Sequence, residues 1–401
     1  MKIAILHTAL GRFGGAERLC IFHAIHMSRM GFNVDLFYYG DIPNHMMKML
    51  IDNEVNVLKL APSISNFRVE TNRIIELIRV LDKYDIILIH HHIDPLLKFS
   101  ISLRHSNKTV WYCGEPLRTI WEDKVSGFSY LLNRSIAVKT ASTIYGELFS
   151  RFLNKFFRLI ANATRIMDYI STRRLKLVVT NSEFTKEIVR NVYKLENVEV
   201  VHPGIEPELF KNFVKNSGGE QPSKSRIGIS VGALLPFKNH KTLIKALRKV
   251  LPKHSDASFY IIGDGPLREE LIKISSDLKN LHIITGLNDD GLAQYYAKTR
   301  FLVHVAIVEM FGLVPLEAAV FGKPSIVSKY GGMVEFIKDG ENGFVVNPLN
   351  ADEIANAIEE LLVNDHLVEK MGSKARERVY NGFTAEESTR KLTKIVMEVF
   401  S

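Results

Sequence analysis

MKIAILHTALGRFGGAERLCIFHAIHMSRMGFNVDLFYYG, residues 1–40, decides the fold class. Residues 2–7 form a short apolar run without alternation, the pattern of a strand covered on both faces. A Gly-rich turn at 11–15 follows, then helical periodicity over 16–30, Gly31 as a stop, and a second strand over 33–39. Strand, helix and strand in that order make a βαβ unit, the building block of an open parallel sheet. The opening run is followed by Gly and Arg and by no small-residue cleavage site, so it is read as a strand and not as a signal peptide.

Outward from this unit the same grammar repeats. Unalternated apolar runs at 86–89, 109–112 and 177–180 fit further strands of one parallel sheet. Between 203 and 226 the chain loses apolar periodicity and gathers Pro, Gly and Ser, as a surface connection does. Alternation then restarts: strand 227–231, helix 241–250, strand 258–262, helix 267–278, and strands at 282–285 and 301–305. The expected organisation is a first Rossmann-like domain over 1–205, a second over 206–384, and a helix over 385–401 that packs back towards the first. A length of 401 residues suits two domains and hence a cleft between them.

Composition excludes several classes. With 46% hydrophobic and 24% charged residues and no biased tract, the chain can bury a sizeable core. Its two cysteines, Cys20 and Cys113, are far apart and lack partners at ligand spacing, against a disulfide framework or a zinc motif, and they suggest a reducing, cytoplasmic setting. No apolar stretch approaches the roughly 18 residues a membrane span needs. The formal charge of +8 attracts polyanions without choosing among nucleic acid, anionic lipid and phosphate ligands.

The segment HVAIVEMFGLVPLEAAVFGKPSIVS, 304–328, carries the sharpest chemistry. A strand ends there, a helix of about ten residues is expected from Gly312 with Pro315 in its first turn, and Gly322 and Pro324 close it. Ligands of open α/β sheets lie beyond the carboxyl ends of the strands, where helix N-termini favour phosphate. Glu309 before the helix and Glu317 within it are placed to border one cavity mouth, where carboxylates suit sugar hydroxyls. Dipole complementation, about 0.3–1 kcal/mol, accounts for either glutamate taken singly. Lys238, in the turn LPFKN before another helix, opposes that helix's dipole, and an anionic ligand would compensate.

The Glu309–Glu317 pattern, EMFGLVPLEAAVFGKPSIVS followed by GGMVEFI, resembles glycosyltransferase family 4. GGAERL at 14–19, TNSEFTKEIV at 180–189, VHPGIEPELF at 201–210, VGALLPFKNHKTLI at 231–244 and IIGDGPLREEL at 261–271 look like further family blocks in the expected order. The resemblance implies an α/β chain of GT-B type, two Rossmann-like domains facing each other across a cleft, and a retaining transfer that needs no metal or other cofactor. By position it implies that Glu309 contacts the transferred sugar. Lys238 and the backbone of Phe311, Gly312 and Leu313 are then expected at the diphosphate, and Glu317 at the ribose. Gly14 and Gly15 resemble the loop that approaches acceptor and donor phosphate. The spacing of these glycines is not that of a nicotinamide fingerprint.

Two departures stand out. Ala233 occupies a position where the family usually has Arg. In WYCGEPLRTIWED, 111–123, Gly114 stands where part of the family has an assisting His, which leaves Glu115 as a substitute catalytic group or no such group. Arg118 matches an Arg expected at acceptor or phosphate. His90, His91, His92 and Asp94 follow the 86–89 strand, and strand alternation would aim His90 and His92 the same way as a metal pair, although a strand-end cluster is the commoner reading. Residues 147–176 mix Phe, Leu and Ile with Arg and Lys, with Phe152, Phe156 and Ile160 at four-residue steps, which suits either a core helix or one lying on an anionic membrane face.

The expected activity is transfer of a hexose from a GDP- or UDP-linked nucleotide sugar to a glycan or lipid-linked acceptor. The YCGEPLR block favours mannose from GDP-mannose. The alternatives are a catalytically silent subunit of the same fold and a nucleotide-sugar epimerase. Nucleic acid is not an expected partner.

Overall fold

The structure is a computed structural model and describes residues 1–8, 14–39, 41–60, 71–117, 121, 162–211, 213 and 226–400. Arg118, Phe152, Phe156, Ile160 and most of the Gly-rich turn at 11–15 lie outside the described residues. The chain divides into two units, Met1–His202 with Ala385–Ser401, and Pro203–Thr384.

The first unit is a seven-stranded parallel sheet of order β3-β2-β1-β4-β5-β6-β7. Its strands are β1 Lys2–Thr8, β2 Asn33–Tyr39, β3 Asn56–Lys59, β4 Ile86–His90, β5 Thr109–Cys113, β6 Leu177–Thr180 and β7 Glu199–Val200. β4, β5 and β6 are buried at every residue, because helices cover both faces. The helix Gly15–Arg29 returns the chain from β1 to β2, and Gly31, at φ +89°, ends it in the left-handed region that glycine adopts without strain. The last helix, Ala385–Phe400, belongs to this unit: His23 and Ser388 Oγ are 3.1 Å apart, and Ser388 donates to the His202 carbonyl at 2.7 Å.

The helix over residues 162–174 is held by a buried polar knot. Asp168 pairs with Lys98 at 2.9 Å and accepts from Trp121 Nε1 at 2.7 Å and Tyr193 OH at 2.6 Å. Lys98 also lies 3.4 Å from the centre of the Trp111 ring. Burial alone would raise the Asp168 carboxyl, but the Lys98 ammonium and the donated hydrogen bonds hold it below its ordinary value. Asp168, Ser171 and Thr172 are buried while Ile166 and Ile170 are exposed, so this helix turns polar residues inward and isoleucines outward.

The second unit is a six-stranded parallel sheet of order β10-β9-β8-β11-β12-β13. The strands are β8 Ile227–Val231, β9 Ser258–Ile262, β10 Leu281–Ile284, β11 Phe301–His304, β12 Ser325–Ser328 and β13 Gly343–Val346. Phe301 and Val303 pack in a core with the helices His240–Val250 and Ala351–Val363. Leu302 points to the opposite core, with Leu316, Ala319 and Tyr296. Alternate residues of one strand thus feed two cores, which is why the strands read as unbroken apolar runs. Renumbered from β8, the strand order is 3-2-1-4-5-6, and its direction reverses between β8 and β11. A crevice for ligands opens outside the carboxyl ends of such a strand pair.

Candidate active site

Lys238 and Glu309 reach each other at that reversal. β8 runs into the turn Pro236–Lys238, whose Lys238 N–H donates to the Leu235 carbonyl, and Asn239 takes a left-handed conformation at φ +63°. Asn239 Nδ2 donates to the carbonyls of Val305 (3.0 Å) and Pro348 (2.7 Å), fastening the turn beneath β11. The Ile307 N–H donates to the Phe237 carbonyl at 2.8 Å, so the loops after β8 and β11 are tied by backbone as well.

On this frame the Lys238 ammonium donates to Glu309 Oε2, and His304 Nε2 lies 3.1 Å from the same oxygen. Burial by itself would raise the Glu309 carboxyl; the charge of Lys238 and the contact with His304 overcome it and leave the group well below the usual carboxylate range. Glu309 is therefore an anion held between two nitrogen donors. His240, buried behind them, has its Nδ1 unpartnered, and burial, then His304 and Lys238, push its pKa down to about 3. The backbone of Glu309 is fixed too, since Gly332 N–H donates to its carbonyl at 3.0 Å.

Gly312 is at φ +80°, and a Cβ there would sit 3.0 Å from Glu309 Cγ. Glycine is required both for the backbone and for the space Glu309 occupies. The helix expected from Gly312 starts later and is shorter, Val314–Val320, with Pro315 in its first turn, because residues 311–313 are spent in the loop that carries Glu309 across to it. Phe311 is buried and stacks at 6.1 Å on Phe383, while Gly312 and Leu313 are half-buried. Glu317 lies inside the helix, 7% exposed, and accepts from the Tyr296 hydroxyl at 2.6 Å. Lys238 and Glu309 are thus brought together, and Glu317 has a separate, buried partner. Ala233 is half-buried in the loop between β8 and Lys238.

His304 was not singled out from the sequence, yet it completes the Glu309 contacts. Its position as the last residue of a strand at the reversal was the available signal.

In the first unit, Gly14 N–H donates to Glu17 Oε2 at 2.9 Å, and Gly15 opens the helix at an exposed position. His90 faces inward instead of pairing with His92: its Nε2 lies 3.2 Å from His23 Nδ1, and its ring stacks on Tyr112 at 5.0 Å. The physical reason is His91, whose φ of +63° breaks strand alternation. His91 and not His90 stands beside His92, with ring centres 4.2 Å apart, and Glu115 joins them. The space at position 114 is taken by His91: a Cβ on Gly114 would lie 2.8 Å from His91 Cε1 and closer still to Nδ1.

Two Rossmann-like parallel-sheet units, the second with an ion pair at its reversal point, define the GT-B class of fold. A solved structure of the same architecture is Anabaena HepE in complex with UDP and glucose, 17% identical, with a TM-score of 0.73 over 99% of this chain and 100% of that one. The chain belongs to the family-4 glycosyltransferases: the model "Glycosyltransferase Family 4" matches residues 13–209 and "Glycosyl transferases group 1" matches 214–378. Its relatives include an uncharacterised glycosyltransferase of Methanocaldococcus jannaschii, 31% identical over 60% of this chain and 65% of that one. A GDP-mannose-dependent alpha-(1-6)-phosphatidylinositol monomannoside mannosyltransferase of Mycobacterium tuberculosis is 28% identical over 69% of this chain and 72% of that one. The chain spans 55–65% of the length of several curated relatives it matches.

Proposed function

We propose that the protein transfers a hexose, with retention, from a nucleotide sugar to a glycan or lipid-linked acceptor, forming an alpha linkage. The observation that carries this is the Lys238–Glu309 pair at the β8/β11 reversal, on a chain of a glycosyltransferase family. In the proposed donor complex the diphosphate draws the Lys238 ammonium, and the Glu309 carboxylate is left to accept from sugar hydroxyls. Backbone N–H groups of Phe311, Gly312 and Leu313 face the diphosphate, and Glu317 faces the ribose. The C1–O bond to the leaving nucleoside diphosphate breaks and leaves an oxocarbenium-like centre. The acceptor oxygen attacks C1 from the same face, and its proton passes to a phosphate oxygen of the leaving group. Negative charge grows on that group, so fixed donors aimed at it supply most of the acceleration. Gly14 is assigned to the acceptor and Gly15 to the donor phosphate. No step draws on a cofactor.

Mannose from GDP-mannose is the donor we favour, supported by the YCGEPLR block and by the donor named for the mycobacterial relative. Thermal unfolding with GDP, UDP, ADP and their sugars tests it, because a ligand at 100 times its dissociation constant adds about 2.7 kcal/mol. Stabilisation by UDP compounds alone refutes the GDP preference, and stabilisation by none refutes the donor site.

A catalytically silent nucleotide-sugar-binding subunit is the second reading, favoured by Ala233. Turnover abolished by Glu309→Ala excludes it. Peripheral attachment to anionic lipid at the cytoplasmic face is supported by the outward Ile166 and Ile170 on a helix that also bears Arg165, Arg173 and Arg174. Among the described residues no helix is long and apolar enough to cross a membrane. Flotation with acidic vesicles at low salt should carry the protein up, and Ile166→Asp/Ile170→Asp should release it. A protein that stays at the bottom of the gradient refutes attachment.

A further inference from the structure

We propose that His91, His92 and Glu115 form a binding site for one divalent transition-metal ion of the zinc type, at the carboxyl ends of β4 and β5 in the first unit. One ligand atom from each residue lies within 4.8 Å of the others. Around a zinc-sized ion, with bonds of about 2.0–2.2 Å, tetrahedral ligand atoms stand roughly 3.3 Å apart, so the set must close by a modest movement. The half-buried His91 and Glu115 side chains can supply that movement towards the buried His92.

The backbone is built for this grouping. In a continuing strand, adjacent histidines would face opposite sides. His91 instead adopts φ +63°, a left-handed conformation that a non-glycine residue keeps only where its surroundings hold it. They do so here: the His91 N–H donates to the Tyr112 carbonyl at 2.8 Å, and the His91 carbonyl accepts from Trp111 Nε1 at 2.6 Å. The result is two imidazoles 4.2 Å apart and tilted by 47°. Gly114 completes the arrangement, since any larger residue there would meet the His91 ring. Glu115 follows immediately and brings a carboxylate to the two nitrogens.

Two imidazoles and one carboxylate suit zinc, cobalt or nickel, and leave a coordination position open for water or a ligand oxygen; magnesium and calcium prefer all-oxygen sets. Among the described residues a second grouping of metal-binding residue types, His7, Cys20 and His90, is less suitable. All three are fully buried, and burial pushes the Cys20 thiol well up, away from the thiolate a metal needs. Glu115, expected from the sequence as a catalytic substitute, is here a ligand. The inference does not depend on the proposed transfer reaction, because its readout is ion binding.

Calorimetric titration of zinc, and visible absorption on titration with cobalt, test this on the full chain after tag removal and chelator treatment. One equivalent should bind with a low-micromolar or tighter dissociation constant. His91→Ala and His92→Ala should each weaken binding at least tenfold. Glu115→Gln, a near-isosteric change at a half-buried position, should do so without altering thermal unfolding of the metal-free protein. Gly114→Ala should weaken binding by displacing the His91 ring. Binding weaker than about 1 mM, or equal binding in the His91→Ala, His92→Ala and Glu115→Gln proteins, overturns the site. Loss with Cys20→Ser alone overturns it in favour of the interior cluster.

Discussion

At the scale of single residues, Glu309 is an anion held between Lys238 and His304, its charge balanced by the Lys238 ammonium. This separates binding from chemistry in a measurable way. In Glu309→Gln the ammonium of Lys238 is released from its carboxylate partner. Free nucleoside diphosphate should then bind as tightly as to the native protein or more tightly, while transfer falls by a factor of about 100 or more, as when other donors or acceptors of a reacting group are removed. Lys238→Met should instead weaken nucleotide binding at least tenfold, the loss expected for a charge-assisted contact of about 1.5–3 kcal/mol. Calorimetry with the nucleotide, paired with turnover, distinguishes the two; parallel losses in both variants would refute separate roles. Ala233 offers the converse test. If the loop between β8 and Lys238 faces the diphosphate, Ala233→Arg adds a cation there and should tighten nucleotide binding about tenfold. No change would place position 233 away from the phosphates.

At the scale of elements, the Glu309 loop and the helix behind it are a unit that tolerates little. Gly312→Ala forces a side chain into a positive-φ position and against Glu309 Cγ. It should lower stability by about 1–2 kcal/mol and cut activity well beyond that of a neighbouring surface change, as thermal unfolding and turnover can show. Lys98 presents a different kind of dependence. Lys98→Met strands the Asp168 carboxylate among Trp121 and Tyr193, and should cost about 3–5 kcal/mol by urea unfolding. Lys98→Met/Asp168→Asn should recover part of that loss, because no buried charge is left alone; an equal loss in the double variant refutes the pairing as its cause. These elements also show what was legible beforehand. β1, β4, β5, β6, β8 and β9 lie where unbroken apolar runs had placed them, since burial on both faces writes itself directly into composition. β3 and β7 left no such trace: Asn56–Lys59 is only partly buried and β7 is two residues long, so each is made by its neighbours in the sheet. A helix after Glu309 was readable from its Gly and Pro punctuation, but not that residues 311–313 stay in the loop before it. His304 and the His91 turn were not, because a contact across strands and a left-handed histidine depend on tertiary packing and not on local pattern.

At the scale of the whole molecule, each unit buries neutral histidine, and this determines how the protein responds to acid. His23, in the first unit, lies between His90 and Ser388; burial, and secondarily His26, push its pKa down to about 3. His240, in the second, is likewise at about 3. The unfolded chain binds a proton at each near pH 6.5 while the folded protein does not, so protonation favours unfolding. Their stabilising contribution is complete above pH 6.5 and is lost progressively as the pH falls towards 3. The loss is about 1.4 kcal/mol per pH unit per histidine, or about 2 kcal/mol each between pH 6.5 and 5. Asp168 and Glu309, held low by their cations, add a further loss only below about pH 5, where the unfolded carboxyls begin to protonate. Urea unfolding at pH 7, 6 and 5 should therefore show stability falling in each unit before the carboxylate range is reached. His240→Gln should flatten the fall for the second unit and His23→Gln for the first, where His90, also buried and held neutral, keeps part of the slope. Substitution of either histidine lowers stability at pH 7 as well, so the diagnostic quantity is the slope with pH and not the midpoint. A slope unchanged in both variants would mean that other groups take up the protons, and the buried histidines would then not be the source of acid sensitivity.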